Sequence, residues 1–208
     1  MSIYILNNKQ EKNAINLSVI GIKFYDVEIE LSNYDALIFT SKNGLYAIDK
    51  IDKSWRDLEI YSIGKGTTNS AIELGVEVTY TAKTSYGNEF ANEIKSLLKG
   101  KKALYLRPKV VVSRVSDITK EGGVDIDEKI IYETVCNDCS SLSTPPKNST
   151  IIFSSPSTIE CFLKCFEWDK TYRAIVIGKN TAKFMPQSIK YRLAPKQTLE
   201  SCINLGNL

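Results

Sequence analysis

The chain has 208 residues, 43% hydrophobic and 25% charged, with 27 Lys and Arg against 24 Asp and Glu, a net charge of +3. That length suits one large or two small domains, and the composition is that of a globular protein rather than a disordered chain or a disulfide-rich miniprotein. No apolar run exceeds four residues, so no transmembrane helix is expected, and the start lacks a basic stretch followed by a long apolar one. The chain contains no histidine, which excludes Ser-His-Asp and Cys-His catalysis and His-based zinc sites. The scattered Lys and Arg residues form no basic stripe, so no nucleic-acid partner is expected.

In chain order, strands are expected at 3–6, 23–29, 36–40, 59–63, 76–80, 103–106, 130–135, 150–153, 174–177 and 191–193. Each is a short run rich in β-branched and aromatic residues. Helical periodicity lies between most of them, as at 89–98, where Phe90, Ile94, Leu97 and Leu98 share one face. Alternating strands and helices imply an α/β class with largely parallel sheets. The stretches 26–33 and 140–150 read as extended crossings or loops.

An internal repeat sharpens this reading. Phe39-Thr40-Ser41, a helix and then Ile63-Gly64-Lys65-Gly66-Thr67 recur as Phe153-Ser154-Ser155, a helix and Ile177-Gly178-Lys179-Asn180-Thr181, with 24 residues from Phe to Ile in both copies. Neither copy is a P-loop, because the glycine needed five residues earlier is Glu59 or Arg173. Thr67 and Thr181 read either as helix caps or as parts of an anion site at a helix N-terminus. Ser41 and Ser155 open helices in the same way. In an open parallel sheet all these loops fall at the carboxyl ends of the strands, where ligands bind.

The five cysteines read as reduced thiols of a cytosolic protein. Cys136-Asn137-Asp138-Cys139 is a C-x-x-C, but Cys161 and Cys165 lack the second spacing of a zinc ribbon, so the cysteines are taken as loop and core residues and no metal is expected.

Together these motifs resemble the uroporphyrinogen-III synthase family. The resemblance runs through Phe39-Thr40-Ser41-x-Asn43-Gly44, Ile63-Gly64-x-x-Thr67, Gly87-Asn88 and Tyr105-Leu106-Arg107. It continues through Tyr132-Glu133-Thr134-Val135, Phe153-Ser154-Ser155-Pro156-Ser157, Ile177-Gly178-x-x-Thr181 and Pro195-x-x-Thr198. It implies two similar parallel-sheet α/β domains around a ligand cleft. One is discontinuous (1–28 with 143–208), the other inserted (34–134), and 29–33 and 135–142 form a two-stranded connector. It implies a cytoplasmic monomer that cyclises hydroxymethylbilane to uroporphyrinogen III with inversion of ring D and loss of water. No cofactor, nucleic acid or membrane is implied, and the substrate can be handed over by hydroxymethylbilane synthase.

In that chemistry an azafulvene forms as hydroxide leaves, and a spiro intermediate then fragments and recloses. The enzyme positions the chain and assists hydroxide departure. The family's catalytic tyrosine falls on Tyr132. Substrate-binding positions fall on Ser41, Asn43, Gly64, Thr67, Gly87, Asn88, Arg107, Ser155, Ser157, Arg173, Gly178 and Thr181. After the first strand the family's basic residue and full helix are replaced by Asn7-Asn8-Lys9, so a shortened helix is expected, with Lys9 as a possible ligand group. The competing readings are a non-catalytic two-lobed binder of an anionic metabolite and a flavodoxin-like carrier. The latter lacks a phosphate loop after the first strand.

Overall fold

A computed structural model describes residues 2–7 and 10–208. Asn8 and Lys9 lie outside the described residues, and so does the expectation placed on Lys9. The chain divides into a terminal unit, Met1–Gly21 with Thr134–Leu208, and an inserted unit, Ile22–Glu133.

The terminal unit begins with β1 (Ile3–Ile5) and β2 (Ile15–Asn16). Among the described residues between them there is a turn with Asn13 at φ 66° and no helix. The expected shortened helix is therefore replaced by a two-residue strand, whose neighbour Leu17 donates its N–H to the Ile5 carbonyl at 2.8 Å. Next come β3 (Ile20–Phe24), then in the inserted unit β4 (Ala36–Phe39), α1 (Lys42–Ile51), β5 (Glu59–Ser62), α2 (Lys65–Glu73) and β6 (Tyr80–Thr81). They are followed by α3 (Gly87–Ile94), β7 (Lys102–Pro108), α4 (Val115–Glu121) and β8 (Asp125–Cys136). The chain then completes the terminal unit with β9 (Thr150–Phe153), α5 (Pro156–Cys165), β10 (Arg173–Val176), α6 (Lys179–Ala182), β11 (Tyr191–Leu193) and α7 (Leu199–Gly206).

The terminal sheet has the order β11-β10-β9-β1-β2, every pair parallel. The inserted sheet runs β3-β8-β7-β4-β5-β6, parallel from β8 to β6. Strands β4 and β9 are buried along their whole length because helices cover both faces, so they read as unbroken apolar runs. In the inserted unit Leu37, Phe39, Leu104 and Leu106 pack with α1 and Trp55 on one face, while Ala36, Ile38, Ala103 and Tyr105 pack with α3 and Val115 on the other. In the terminal unit Ile151, Phe153, Ala174 and Val176 face α5, and Ile3, Ile5, Ile152 and Ile175 face Cys202 and Ile203 of α7.

Strands β3 and β8 carry the chain between the units and pair with each other. Tyr25 N–H meets the Ile131 carbonyl and Asn137 N–H meets the Val19 carbonyl, each at 2.9 Å, so the two run antiparallel. The extended crossing expected at 26–33 is not a strand: it is irregular up to a 3-10 turn at Leu31–Asn33.

The cysteines correct the sequence reading. Cys136 is disulfide-bonded to Cys161 and Cys139 to Cys165, leaving buried Cys202 as the free thiol. The reason is geometric. Cys161 and Cys165 are four apart and share one face of α5, and the turn after β8 brings the C-x-x-C against it.

At the end of α1, Asp49 accepts from Lys53 Nζ at 2.5 Å, Arg56 Nη2 at 2.6 Å and Trp55 Nε1 at 3.1 Å. Burial pushes this carboxyl up, but the three donors outweigh it and hold the pKa at about 2, against 3.8 ordinarily. A depressed folded-state pKa contributes stability that is complete above 3.8 and lost as pH falls toward 2. Asp49→Asn is expected to lower Tm at neutral pH and to flatten the fall in Tm below pH ~4, as thermal unfolding across that range would read.

Candidate active site

The strand order of the inserted sheet reverses between β4 and β7: from β4 the chain moves outward to β5 and β6, then returns to β7 on the other side. Such a switch point opens a crevice at the carboxyl ends of the strands. Its floor is closed by a hydrogen bond of 2.8 Å between Thr40 Oγ1 and Tyr105 Oη, joining the end of β4 to β7. Helix α1 can sit close to both strands because Gly44 has no side chain. A Cβ there would lie 3.1 Å from the Phe39 ring and 3.2 Å from the Leu106 carbonyl.

Tyr132 reaches this edge through an irregularity. Arg107 of β7 is paired with Ile130 and Pro108 with Tyr132, so Ile131 is an extra residue in β8. Such a bulge shifts the alternation of side chains. Ile126 packs on the α3 side, and strict alternation would send residue 132 there too. Instead Ile131 and Tyr132 both join the cluster on the α1 side. There Tyr132 is 3% exposed and its phenol lies beside the side chain of Ser41. Burial pushes its phenol up to about 12; Ser41 opposes this and the nearby Tyr105 adds to it. Tyr105, 2% exposed, is also raised by burial, against the lowering effect of Thr40. Both phenols are therefore neutral acids.

The other expected residues sort into three groups. The first caps helices. Ser41 accepts the Asn43 N–H at 3.2 Å, and Ser155 forms a capping box with Thr158 while also bonding Ser157 Oγ at 3.0 Å.

The second group surrounds glycine-capped helix starts. Gly64 and Gly178 precede α2 and α6 and have no capping side chain of their own; the Gly64 N–H meets Ser62 Oγ at 3.5 Å. Thr67 and Thr181 are not the caps; each is the third residue of its helix and is buried. The motif's exposed polar residues at these starts are Lys65 and Lys179, which sequence reasoning passed over although the Gly-Lys repeat contains them.

The third group is taken up elsewhere. Asn88 Oδ1 accepts the Arg114 N–H at 2.9 Å, and Gly87 admits Ser113 against its Cα, so this pair fixes the loop after β7. Arg107 donates to Glu128 at 2.9 Å and to the Pro108 and Lys109 carbonyls at 3.0 and 3.3 Å. Its guanidinium thus holds the bulge. Arg173 begins β10, at the strand's amino end, and donates to the Gly206 carbonyl at 3.3 Å, whereas the loops following the strands lie at the other end of the sheet. Thr40 and Tyr105 complete the edge; the sequence motifs contain them, but neither was named as a site residue. An isolated Tyr in the apolar run Leu104-Tyr105-Leu106 gives no sign of its hydroxyl partner.

The family model described as uroporphyrinogen-III synthase HemD matches residues 8–204. The structure is similar to that of uroporphyrinogen-III synthetase from Helicobacter pylori, with TM-score 0.85 and 27% identity over 98% of this chain and 97% of that one. It shares the fold of a mutant uroporphyrinogen III synthase from Thermus thermophilus, with TM-score 0.57 and 9% identity over 99% and 96% of the two chains. No match was found among the curated proteins. A parallel-sheet α/β chain with a switch-point tyrosine, matched across almost its whole length, belongs to the uroporphyrinogen-III synthase HemD family.

Proposed function

We propose that Tyr132 is the acid that assists hydroxide departure from hydroxymethylbilane, and that the edge around it binds and folds this substrate. The observation that carries the reading is the buried Tyr132 phenol beside Ser41 at the switch point. Ser41 Oγ accepts the Asn43 N–H, so its own proton is free to turn toward Tyr132 Oη. With Ser41 as donor, the phenol's proton points toward a leaving hydroxyl and becomes easier to give, in keeping with the lowering effect of Ser41.

The reaction then divides naturally. The electron-rich pyrrole expels hydroxide as Tyr132 donates a hydrogen bond or proton, giving the azafulvene. Ring D attacks to form the spiro intermediate, which fragments and recloses with ring D inverted. No strong base is required, so the absence of histidine costs nothing. The protein's contribution is orientation together with one weak acid.

The substrate carries eight carboxylates. The α2 start, with Gly64, Thr67 and Lys65, offers a positive dipole end and an ammonium to one of them. Asn43 offers a side-chain amide beside Ser41. On the same chemical grounds Ser155, Ser157, Gly178 and Thr181 of the terminal unit are carboxylate-binding positions. The four-residue α6 contributes less dipole than the nine-residue α2. We place the enzyme in the cytoplasm as a monomer receiving substrate from hydroxymethylbilane synthase. Free hydroxymethylbilane closes spontaneously to isomer I, so a short transit favours isomer III.

The decisive assay supplies porphobilinogen to hydroxymethylbilane synthase, adds this protein, oxidises the products and resolves uroporphyrins I and III by chromatography. Predominantly isomer III is expected; isomer I alone from folded protein would overturn the reading. In the same assay Tyr132→Phe is expected to lower kcat by about 10²-fold, with the fold retained because only a hydroxyl is lost. A wild-type yield of isomer III from that variant would remove Tyr132 from the chemistry. Between neutrality and pH 10.0 the rate should show no ionisation of Tyr132, whose folded-state value is about 12. Lys65→Ala should raise KM about 5-fold and leave kcat unchanged, as loss of one solvent-exposed ion pair to a substrate carboxylate implies.

A further inference from the structure

Four of the five cysteines meet at one place in the terminal unit, and the synthase chemistry leaves them unused. Two come from the C-x-x-C that follows β8 and two from one face of α5. The cross-pairs Cys136–Cys161 and Cys139–Cys165 have Cα separations of 5.1 and 5.0 Å. Along α5 the rise between Cys161 and Cys165 is about 6 Å. The four Cα atoms are thus the corners of two adjacent rungs.

The turn between the first pair is held by groups other than sulfur. Asn137 Nδ2 donates to the Ser18 and Ile20 carbonyls at 2.7 and 3.2 Å, and Asp138 accepts from Ser140 N and Oγ at 3.0 and 2.7 Å. These bonds hold the turn alongside the disulfides. The unit also has an aromatic core around Phe153, Phe162 and Trp168, so it is not a small domain that needs staples. Cys165 lines a cavity with Thr144, Trp168 and Tyr172, which gives the cluster a route to solvent.

We propose that Cys136, Cys139, Cys161 and Cys165 form a two-state cluster that holds one zinc ion as a tetrathiolate when reduced, the two disulfides being its oxidised, metal-free form. The compartment in which the reduced form dominates rests on the cytoplasmic placement above; the chemistry of the cluster does not. With both bonds closed, no group of three or more His, Cys, Asp or Glu among the described residues can hold a metal, since the thiolates are consumed. Two molecules of a dithiol reductant supply four electrons and four protons, opening both bonds to four thiols and leaving two oxidised dithiols. One Zn²⁺ then displaces four protons to give the tetrathiolate. An all-sulfur set with four ligands favours tetrahedral zinc, with Zn–S distances of about 2.3 Å. The spacing of Cys161 and Cys165 does not fit a zinc ribbon, but i,i+4 is how a helix presents two ligands to one ion.

The test uses the full chain, reduced anaerobically with a dithiol, freed of reductant and titrated with Zn²⁺ or Co²⁺ alone. One zinc per chain by elemental analysis is expected, along with the intense thiolate-to-cobalt absorption of a tetrahedral site. Zinc should fall to none in Cys161→Ser with Cys165→Ser and stay at one in Cys202→Ser. Oxidation by a disulfide should release the ion and remove four titratable thiols. Reduced, folded wild-type chain that takes up no zinc overturns the proposal, as does zinc retained by the double variant or an iron–sulfur chromophore in the protein as purified. The wild-type titration decides the matter even where the double variant does not fold. Since it reads metal content, a loss of synthase activity cannot be mistaken for failure of the site.

Discussion

One extra residue in β8 sets which face of the inserted sheet receives Tyr132. Regular pairing beyond Arg107 and Ile130 would turn Tyr132 toward α3, away from Ser41. The bulge turns it toward α1 instead, and Arg107 stabilises the irregularity by donating to the two carbonyls that follow on β7. Pro108 contributes as well: it has no N–H to give to a regular ladder, so the slip falls where the strand can least maintain pairing. The arrangement needs the switch point beside it. Only there do the ends of β4 and β7 lead away from each other, leaving Thr40, Ser41 and Tyr105 around a crevice rather than under a connection.

The two halves of the internal repeat divide the work at helix starts. Ser41 and Ser155 accept N–H groups of their own helices and so complete them internally. Gly64 and Gly178 do not, and each is followed by an exposed lysine. A polyanionic substrate distinguishes the two kinds of end. Serine-capped helices present a hydroxyl, whereas glycine-capped helices offer backbone N–H groups and positive charge, as the proposed substrate-binding roles require.

Much of this was legible because buried parallel strands are written as unbroken apolar runs. Ala36-Leu37-Ile38-Phe39 and Thr150-Ile151-Ile152-Phe153 locate the centres of both sheets, and the equal 24-residue spacing relates them. The sequence was less informative wherever backbone pairing overrode side-chain pattern. Strand β8 begins at Asp125, well before its apolar part, because its polar residues lie at a half-covered position next to β7. Strand β6 has two residues where five were expected, and β2 stands where a helix was foreseen. Arg107 and Arg173 have partners distant in sequence, Glu128 and Gly206, that no local pattern announces. The disulfides were missed for the same reason: local spacing says which cysteines share a face, and only the tertiary fold says which face they meet.

The choice of a tyrosine follows from what the reaction asks for. Departure of hydroxide from a pyrrolic carbinol is driven by the ring nitrogen, so an acid has only to stabilise the oxygen as it leaves. An imidazolium or carboxylic acid in its place would carry or acquire charge near neutral pH and would need a counter-ion in an apolar cluster with Phe39, Leu106 and Ile131. A buried phenol has no such requirement. Burial that would be a liability for a carboxylate holds Tyr132 neutral, and Ser41 returns part of the acidity that burial removes. A chain without histidine is therefore suited to this chemistry, and in the proposed role of Tyr132 the precision lies in the bulge, the switch point and the serine beside it.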